Sequence, residues 1–227
     1  MDLTMYDTLL QLPLFQGLCK NDFTDILGKV KLHFSKNKAM EKIINQGSPC
    51  NGLVFLLNGE IISETKDRDD LYTWCEYFNE PYVLEPYSLF GMNTNYISSY
   101  SAMTDVNIVS IEKKFILSEL NKYDIFRLNY LNIISNRSQI LQDRLLNNKT
   151  NSIEEKVINF FLYHAEKSTG KKLLKIKMED FATLLNDTRL SVSKVLNELQ
   201  EMGLLVLRRK EIEIPEISLL ATYKSKI

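Results

Sequence analysis

An α+β protein in three parts is what this sequence predicts: an antiparallel β jelly roll, one long helix, and a compact helical domain closed by a β-hairpin. Three observations point there. Up to about Ile111, short apolar segments alternate with turn residues. From Lys113 to Asn148 neither Gly nor Pro interrupts the chain. After a polar break at Lys149-Thr150-Asn151-Ser152, helical patterns lead to a final alternating stretch, Glu211-Ile212-Glu213-Ile214. Short strands at even spacing belong to antiparallel rolls and barrels, whereas an unbroken 3.6-residue pattern belongs to a helix. The expected parts are residues 1–112, 113–148 and 149–227.

In the first part, Leu53-Val54-Phe55-Leu56-Leu57 precedes Asn58-Gly59 and then Glu60-Ile61-Ile62. Asn-Gly supplies the two left-handed residues of a tight hairpin turn, so a hairpin is expected. Further strands are read at Met40–Ile44, Leu71–Phe78, Tyr82–Leu84 and Val106–Ile111. Helices at Leu3–Leu10 and Asn21–Val30 flank them.

In the second part Phe126, Ile133 and Ile140 recur every seven residues, with Tyr130, Ile134, Leu141 and Leu145 beside them. A one-sided apolar stripe of about three heptads needs a partner surface. The expected partner is the same helix of a second subunit. That makes Phe126, Tyr130, Ile133, Ile134, Ile140 and Leu141 candidate dimer-interface residues, with Asn129 and Asn136 near the seam to fix its register. The plainer reading packs the stripe on its own roll.

Composition sets limits on function. With 44% hydrophobic and 25% charged residues the chain has ordinary globular content. It holds no run of about 18 uncharged apolar residues, and its start, Met1-Asp2-Leu3, lacks the basic region of a secretory signal. A cytoplasmic protein without a membrane partner is expected. Cys19, Cys50 and Cys75 are scattered, and the histidines are only His33 and His164. Such a set argues against a disulfide framework and against a metal or iron–sulfur site. No nucleophile–base pair, HExxH or Walker-type loop stands in the sequence, so no enzyme is expected. Residues 149–227 carry 14 Lys+Arg against 11 Asp+Glu, a net of +3, and residues 1–148 carry 14 against 18, a net of −4. A locally basic C-terminal part permits contact with nucleic acid.

The sharpest pattern lies between Lys177 and Gly203. Met178–Leu185 reads as a short helix and Asn186-Asp187-Thr188 as a turn. Arg189–Met202 reads as a second helix that buries Val192, Val195, Leu196 and Leu199. Ala182 is small enough for two helices to cross closely. Asn186 tolerates the left-handed conformation that the turn needs, and Thr188 can cap the second helix. Thr188, Arg189, Leu190, Ser193, Lys194 and Asn197 then remain outside, on the part of a recognition helix that enters a major groove. Leu204–Leu207, the basic tip Arg208-Arg209-Lys210 and Glu211–Ile214 form a wing whose cations suit a phosphate backbone. The whole is a winged helix-turn-helix, and the candidate DNA-binding residues are those six with Arg208 and Arg209. The partner they imply is double-stranded DNA, met by a homodimer.

The chain resembles the Crp/Fnr transcription regulators in three stretches. These are Gln46-Gly47 with Leu53–Leu57 and Asn58-Gly59-Glu60, then Leu89-Phe90-Gly91 with Ser101-Ala102, and last Ile176 through Leu205. The resemblance implies a cyclic-nucleotide-binding-like roll and DNA reading through Arg189 and Lys194. It also implies RNA polymerase as a partner. Leu190 departs from the acidic residue of cyclic-AMP-responsive members, which implies a different operator, and Asp187 replaces a small or apolar turn residue. Nucleotide-binding members carry Glu after the glycine and Arg before the Ser-Ala pair; Met92 and Tyr100 stand there. A buried phosphate without a cation suffers a large desolvation penalty. Gly91, Met92, Tyr100 and Ser101 therefore outline an effector pocket that is expected not to take cyclic AMP. It is left to an unidentified small molecule or to none, and no cofactor is expected. The competing reading is a ligand-sensing module that acts through protein contacts without binding DNA.

Overall fold

In the computed structural model, which describes residues 5–79, 81–146 and 152–225, the Asn58-Gly59 turn forms where the sequence puts it. Gly59 has φ of +89°, and a Cβ there would meet the Asp105 carbonyl oxygen at 2.6 Å, so no other residue fits. The turn joins β3 (Gly52–Asn58) to β4 (Ile61–Lys66), but the expected hairpin does not form: the two strands belong to different sheets, and of the Asn58-Gly59 pair only Gly59 is left-handed. The remaining strands of the N-terminal part are β1 (Leu32–Asn37), β2 (Lys42–Ile44), β5 (Tyr72–Phe78), β6 (Tyr82–Leu84), β7 (Ser99–Ala102) and β8 (Val106–Glu112). Strands β1 and β7 were not expected from the sequence. Helices α1 (Met5–Gln11) and α2 (Lys20–Lys29) precede them. The expected start of the first helix at Leu3 lies outside the described residues.

The chain folds as two compact units, and they do not follow the expected boundaries. Of the described residues, those up to Ile62 and within Phe78–Leu141 form one; those within Ser63–Tyr77 and from Gln142 onward form the other. The expected break at Lys149–Asn151 lies outside the described residues.

The first unit is an antiparallel roll. Its main sheet runs β1-β8-β3-β6, with Leu53 opposite Ile111 and Phe55 opposite both Val109 and Val83. A second pairing joins β2 to β7. Alternation along β3 and β8 sends Leu53, Phe55, Val109 and Ile111 into one core, which Phe15, Phe23 and Phe126 complete. Burying each such side chain stabilises the fold by about 1.5–3 kcal/mol. Helix α3 (Lys113–Ser118) and the long α4 (Asp124–Leu146) follow.

The second unit contains α5 (Ile153–His164), β9 (Lys172–Ile176), α6 (Met178–Leu184), α7 (Arg189–Glu201), β10 (Val206–Arg208), β11 (Glu211–Ile214) and α8 (Ile217–Lys224). Ser152 and Glu155 close a reciprocal capping box at the start of α5, satisfying two free amides. Between the Thr169-Gly170 turn and α6 the chain forms strand β9, which the sequence pattern did not announce. It pairs with β11 on one edge and with β5 on the other, so the order is β10-β11-β9-β5. Trp74 of β5 belongs to the core of this unit, with Val157, Phe161, Phe181, Val192, Leu196 and Leu199.

Candidate nucleic-acid interface and effector cassette

The helix-turn-helix is built by local chemistry that the sequence declares. Asn186 takes φ of +49°, and the Thr188 side chain accepts from the Ser191 amide at 3.1 Å to cap α7. Asp187 accepts from the Thr188 amide at 2.8 Å and faces the Lys156 ammonium at 3.6 Å. The backbone hydrogen bond from Thr188 leads in holding its carboxyl below the usual carboxylate range. Gly203, at φ of +73°, ends the helix as its amide donates to the Gln200 carbonyl.

With Val192, Val195, Leu196 and Leu199 buried, α7 presents Thr188, Arg189, Leu190, Lys194 and Asn197 to solvent, and Ser193 sits half-buried between them. Leu190 is 82% exposed, a large apolar side chain held out on the first turn. A thymine methyl group is one surface it suits. In the wing, Arg209 and Lys210 form the two-residue tip between Arg208 and its cross-strand neighbour Glu211, and all three cations are exposed. Each cation that leads the interface rests against an acid: Arg189 on Glu179 at 3.3 Å, Lys194 near Glu198 at 3.9 Å, Arg208 near Glu213 at 3.5 Å. Exposed pairs of this kind contribute about 0–1 kcal/mol, so a phosphate or a guanine edge can displace them. None of these acids was singled out in the sequence.

The cassette residues do not assemble into one pocket wall. Met92 projects fully into solvent and Gly91 is exposed, Ser101 is half-buried, and Tyr100 is buried at 1% exposure. What Tyr100 reaches is Glu85, a fully buried residue that no sequence motif marks. Its carboxylate accepts from the Ile97 amide (2.8 Å), the Ser98 amide (2.8 Å), the Ser88 hydroxyl (2.9 Å) and the Tyr100 hydroxyl (3.2 Å). Two amides and two hydroxyls converging on one negative charge make an anion cradle, and the chain fills it with its own side chain. Glu85 holds a left-handed backbone at φ of +38° to do so. Elsewhere on the roll, a cavity of about 490 Å³ lies beside Phe34, Lys36, Leu57, Asn58 and Asn107.

The seam residues on α4 need correcting. Phe126 is 2% exposed and sits 5.8 Å from Phe15, ring centre to ring centre. Tyr130 donates to the Pro86 carbonyl at 2.6 Å and meets Phe90 edge-on, and Ile133 packs on the same core. Asn129 donates to the Gln16 carbonyl at 2.8 Å. These residues anchor α4 to its own roll, because the heptad starting at Phe126 tracks the inner face. Ile134 is half-buried, and Asn136 is exposed. Ile140 (47%) and Leu141 (46%) do stand exposed, joined by Leu128 (58%), Leu131 (59%) and Leu145 (72%), of which Leu128 and Leu131 went unread.

Cys50 and Cys75 are buried and Cys19 is exposed, and all three thiols are free. Burial pushes the Cys75 thiol up to about 12 and raises Cys50 as well, which leaves both poorly reactive. His33 pairs with Glu112 at 3.1 Å. Among the described residues no cluster of three His, Cys, Asp or Glu side chains forms a metal site, and no helix is long and apolar enough to cross a membrane.

The recognition helix and wing lie inside residues 155–223, which match the Crp-like helix-turn-helix domain. Curated proteins give no match by sequence. Among solved structures, the sensor domain of the transcriptional regulator DNR from Pseudomonas aeruginosa is 19% identical with a TM-score of 0.51, over 64% of this chain and 93% of that one. The catabolite activator protein of Thermus thermophilus is 17% identical with a TM-score of 0.49, over 94% of this chain and 99% of that one. At these identities the sensor-domain likeness concerns the fold of the roll. Domain match and interface together define the class, a DNA-binding transcription regulator. More particularly, residues 155–223 form a Crp-like helix-turn-helix domain, preceded by an antiparallel roll whose fold is similar to that of the DNR sensor domain.

Proposed function

We propose that this regulator reads a palindromic operator as a homodimer in the cytoplasm, without responding to cyclic AMP. The observation that carries the reading is the outward edge of α7, where Arg189, Leu190, Lys194 and Asn197 stand exposed above a fully buried face. Arg189 is suited to bidentate contact with guanine, Lys194 to phosphate, and the wing cations Arg208 and Arg209 to the flanking backbone. Dimerisation is supported by the exposed apolar residues of α4, chiefly Leu128, Leu131, Ile140 and Leu141, which water leaves unpartnered. Indifference to cyclic AMP is supported by Glu85, whose carboxylate already uses Ser88, Tyr100 and two amides. RNA polymerase is the further partner that the family resemblance suggests.

Binding of duplex DNA measured as a function of salt tests this. Counterion release predicts a steep linear fall of log K with log salt, and removing Arg208 and Arg209 together makes the slope shallower by about two on every sequence. The competing reading, a module acting through protein contacts alone, draws on the acids Glu179, Glu198 and Glu213 that partner the cations. It predicts no retained duplex even at low salt, and such a result refutes the proposal.

A further inference from the structure

The DNA-reading unit is not made from the C-terminal part of the chain alone. The hairpin that carries β5 is folded into it, although its two ends, at Ser63 and Tyr77, run directly into residues of the roll. Strand β5 pairs with β9 in antiparallel register from Tyr72 opposite Ile176 to Glu76 opposite Lys172. The other edge of β9 holds β11, the returning strand of the wing. The wing is therefore suspended from a strand whose far edge is closed by β5.

Side chains reinforce the backbone pairing. Trp74 is 3% exposed and stacks on Phe161 of α5 with ring centres 6.5 Å apart. Glu76 and Lys172 form an ion pair at 2.8 Å with side chains 4% and 0% exposed. The Glu76 carboxylate also accepts from the Trp74 indole at 3.1 Å and from the Glu166 amide at 2.7 Å. Lys172 also donates to the Thr169 carbonyl at 3.0 Å. Withdrawing the hairpin would leave a bare strand edge, an open slot in the core and a buried ammonium without its counter-charge. A buried charge stripped of its partner is among the costliest states a protein can hold. Nearer the turn, Tyr72 bonds His164 at 2.8 Å and Glu64 pairs with Lys175 at 2.8 Å.

We infer that Trp74 and Glu76 are positioning residues for DNA recognition, and that docking of the β4–β5 hairpin on β9 sets the affinity of the wing and α7 for DNA. The inference rests on the DNA-binding role proposed above. If only the docked form holds the wing in place, apparent affinity falls with the docked fraction. By linkage, DNA in turn favours docking.

The test uses the intact chain and a random-sequence duplex at low salt. Affinity is measured for wild type, Glu76→Gln, Trp74→Phe and Glu76→Gln combined with Lys172→Met. Hydrogen exchange of amides 72–76 is followed with and without DNA. Glu76→Gln is expected to weaken binding about tenfold, as for a docked fraction reduced to about one tenth. Replacing Lys172 as well should restore most of the loss, since it removes the stranded charge. DNA should slow exchange at 72–76 in the wild type several-fold, which a purely structural role would not produce, and this reading stands even where a variant fails to fold. Folded variants that bind like wild type, or exchange indifferent to DNA, overturn the inference alone. A wild-type chain that retains no duplex overturns the DNA-binding role, and the inference with it.

Discussion

Helix α7 with its wing and the cradle around Glu85 handle charge in opposite ways. On α7 and the wing, Arg189, Lys194, Arg208 and Arg209 are exposed and held only by weak surface pairs. In the cassette the charge is Glu85, wholly buried and gripped by Ser88, Tyr100 and the amides of Ile97 and Ser98. A surface charge with a partner worth about 1 kcal/mol or less is available to an incoming ligand. A buried charge with four donors is part of the fold, and displacing it would strand every donor. One face is built to exchange partners, and the other already has its own.

Four experiments can break or sharpen this contrast. Outward surfaces should matter most to binding and least to folding. Leu128→Glu with Leu131→Glu should leave the roll intact but prevent dimerisation, which sedimentation would show. Losing the paired reading heads should lower operator affinity roughly a hundredfold or more. Inside the cassette, Glu85→Gln should cost about 2–3 kcal/mol in urea denaturation, because an amide N–H replaces an acceptor facing donors. A neutral outcome there would mean the cradle is incidental. On the reading helix, Arg189→Ala should cost about 1–3 kcal/mol on the preferred site with little change on other sequences. Comparable loss on every sequence would reduce Arg189 to a phosphate contact.

The smallest effect is a pH dependence in the reading unit. Burial leads in pulling the His164 imidazole below its ordinary value, with Arg144 pushing it the same way and Glu76 and Asp67 opposing. The neutral ring suits its site, since one nitrogen can donate to the Phe160 carbonyl while the other accepts from Tyr72. Above a pH of about 6.5 the ring is neutral folded or unfolded, and it adds no pH dependence. As pH falls below that, the unfolded chain takes up a proton that the folded chain resists, so stability declines until the folded value is reached. The decline is at most about 1.4 kcal/mol per pH unit. The emission of Trp74, the sole tryptophan, reports it during urea unfolding at pH 7.5 and 5.5. A midpoint that His164→Phe leaves equally pH-dependent would assign the effect elsewhere.

The same contrast explains what could be read from the residues. Asn58-Gly59, Thr188 and Gly203 act on neighbours one to four positions away, so the turn after β3, the cap and the helix end were legible, whereas the parting of β3 and β4 into different sheets depends on distant strands and was not. Alternation in β3 and the buried set of α7 likewise repeat at short range. Glu85 was invisible because three of its four donors come from the Ile97–Tyr100 stretch, and a lone Glu reads as surface. Strand β9 was not legible because Lys172 breaks its apolar pattern, and the Glu76 that permits a buried lysine lies in another part of the chain. Trp74, read with the roll, serves the other unit for the same reason. On α4, period alone found an apolar stripe. It could not tell the face taken up by Phe15 and Phe90 from the one left open at Leu128 and Leu131.

Selecting fragments from a random duplex pool with the intact chain bears most directly on the reading of α7 as a recognition helix. The recovered sequences should converge on a palindrome with half-sites about 10 base pairs apart, centre to centre, and Arg189→Ala should relax one symmetric position in it. A pool with no enriched sequence, or one that Arg189→Ala leaves unchanged, would contradict it.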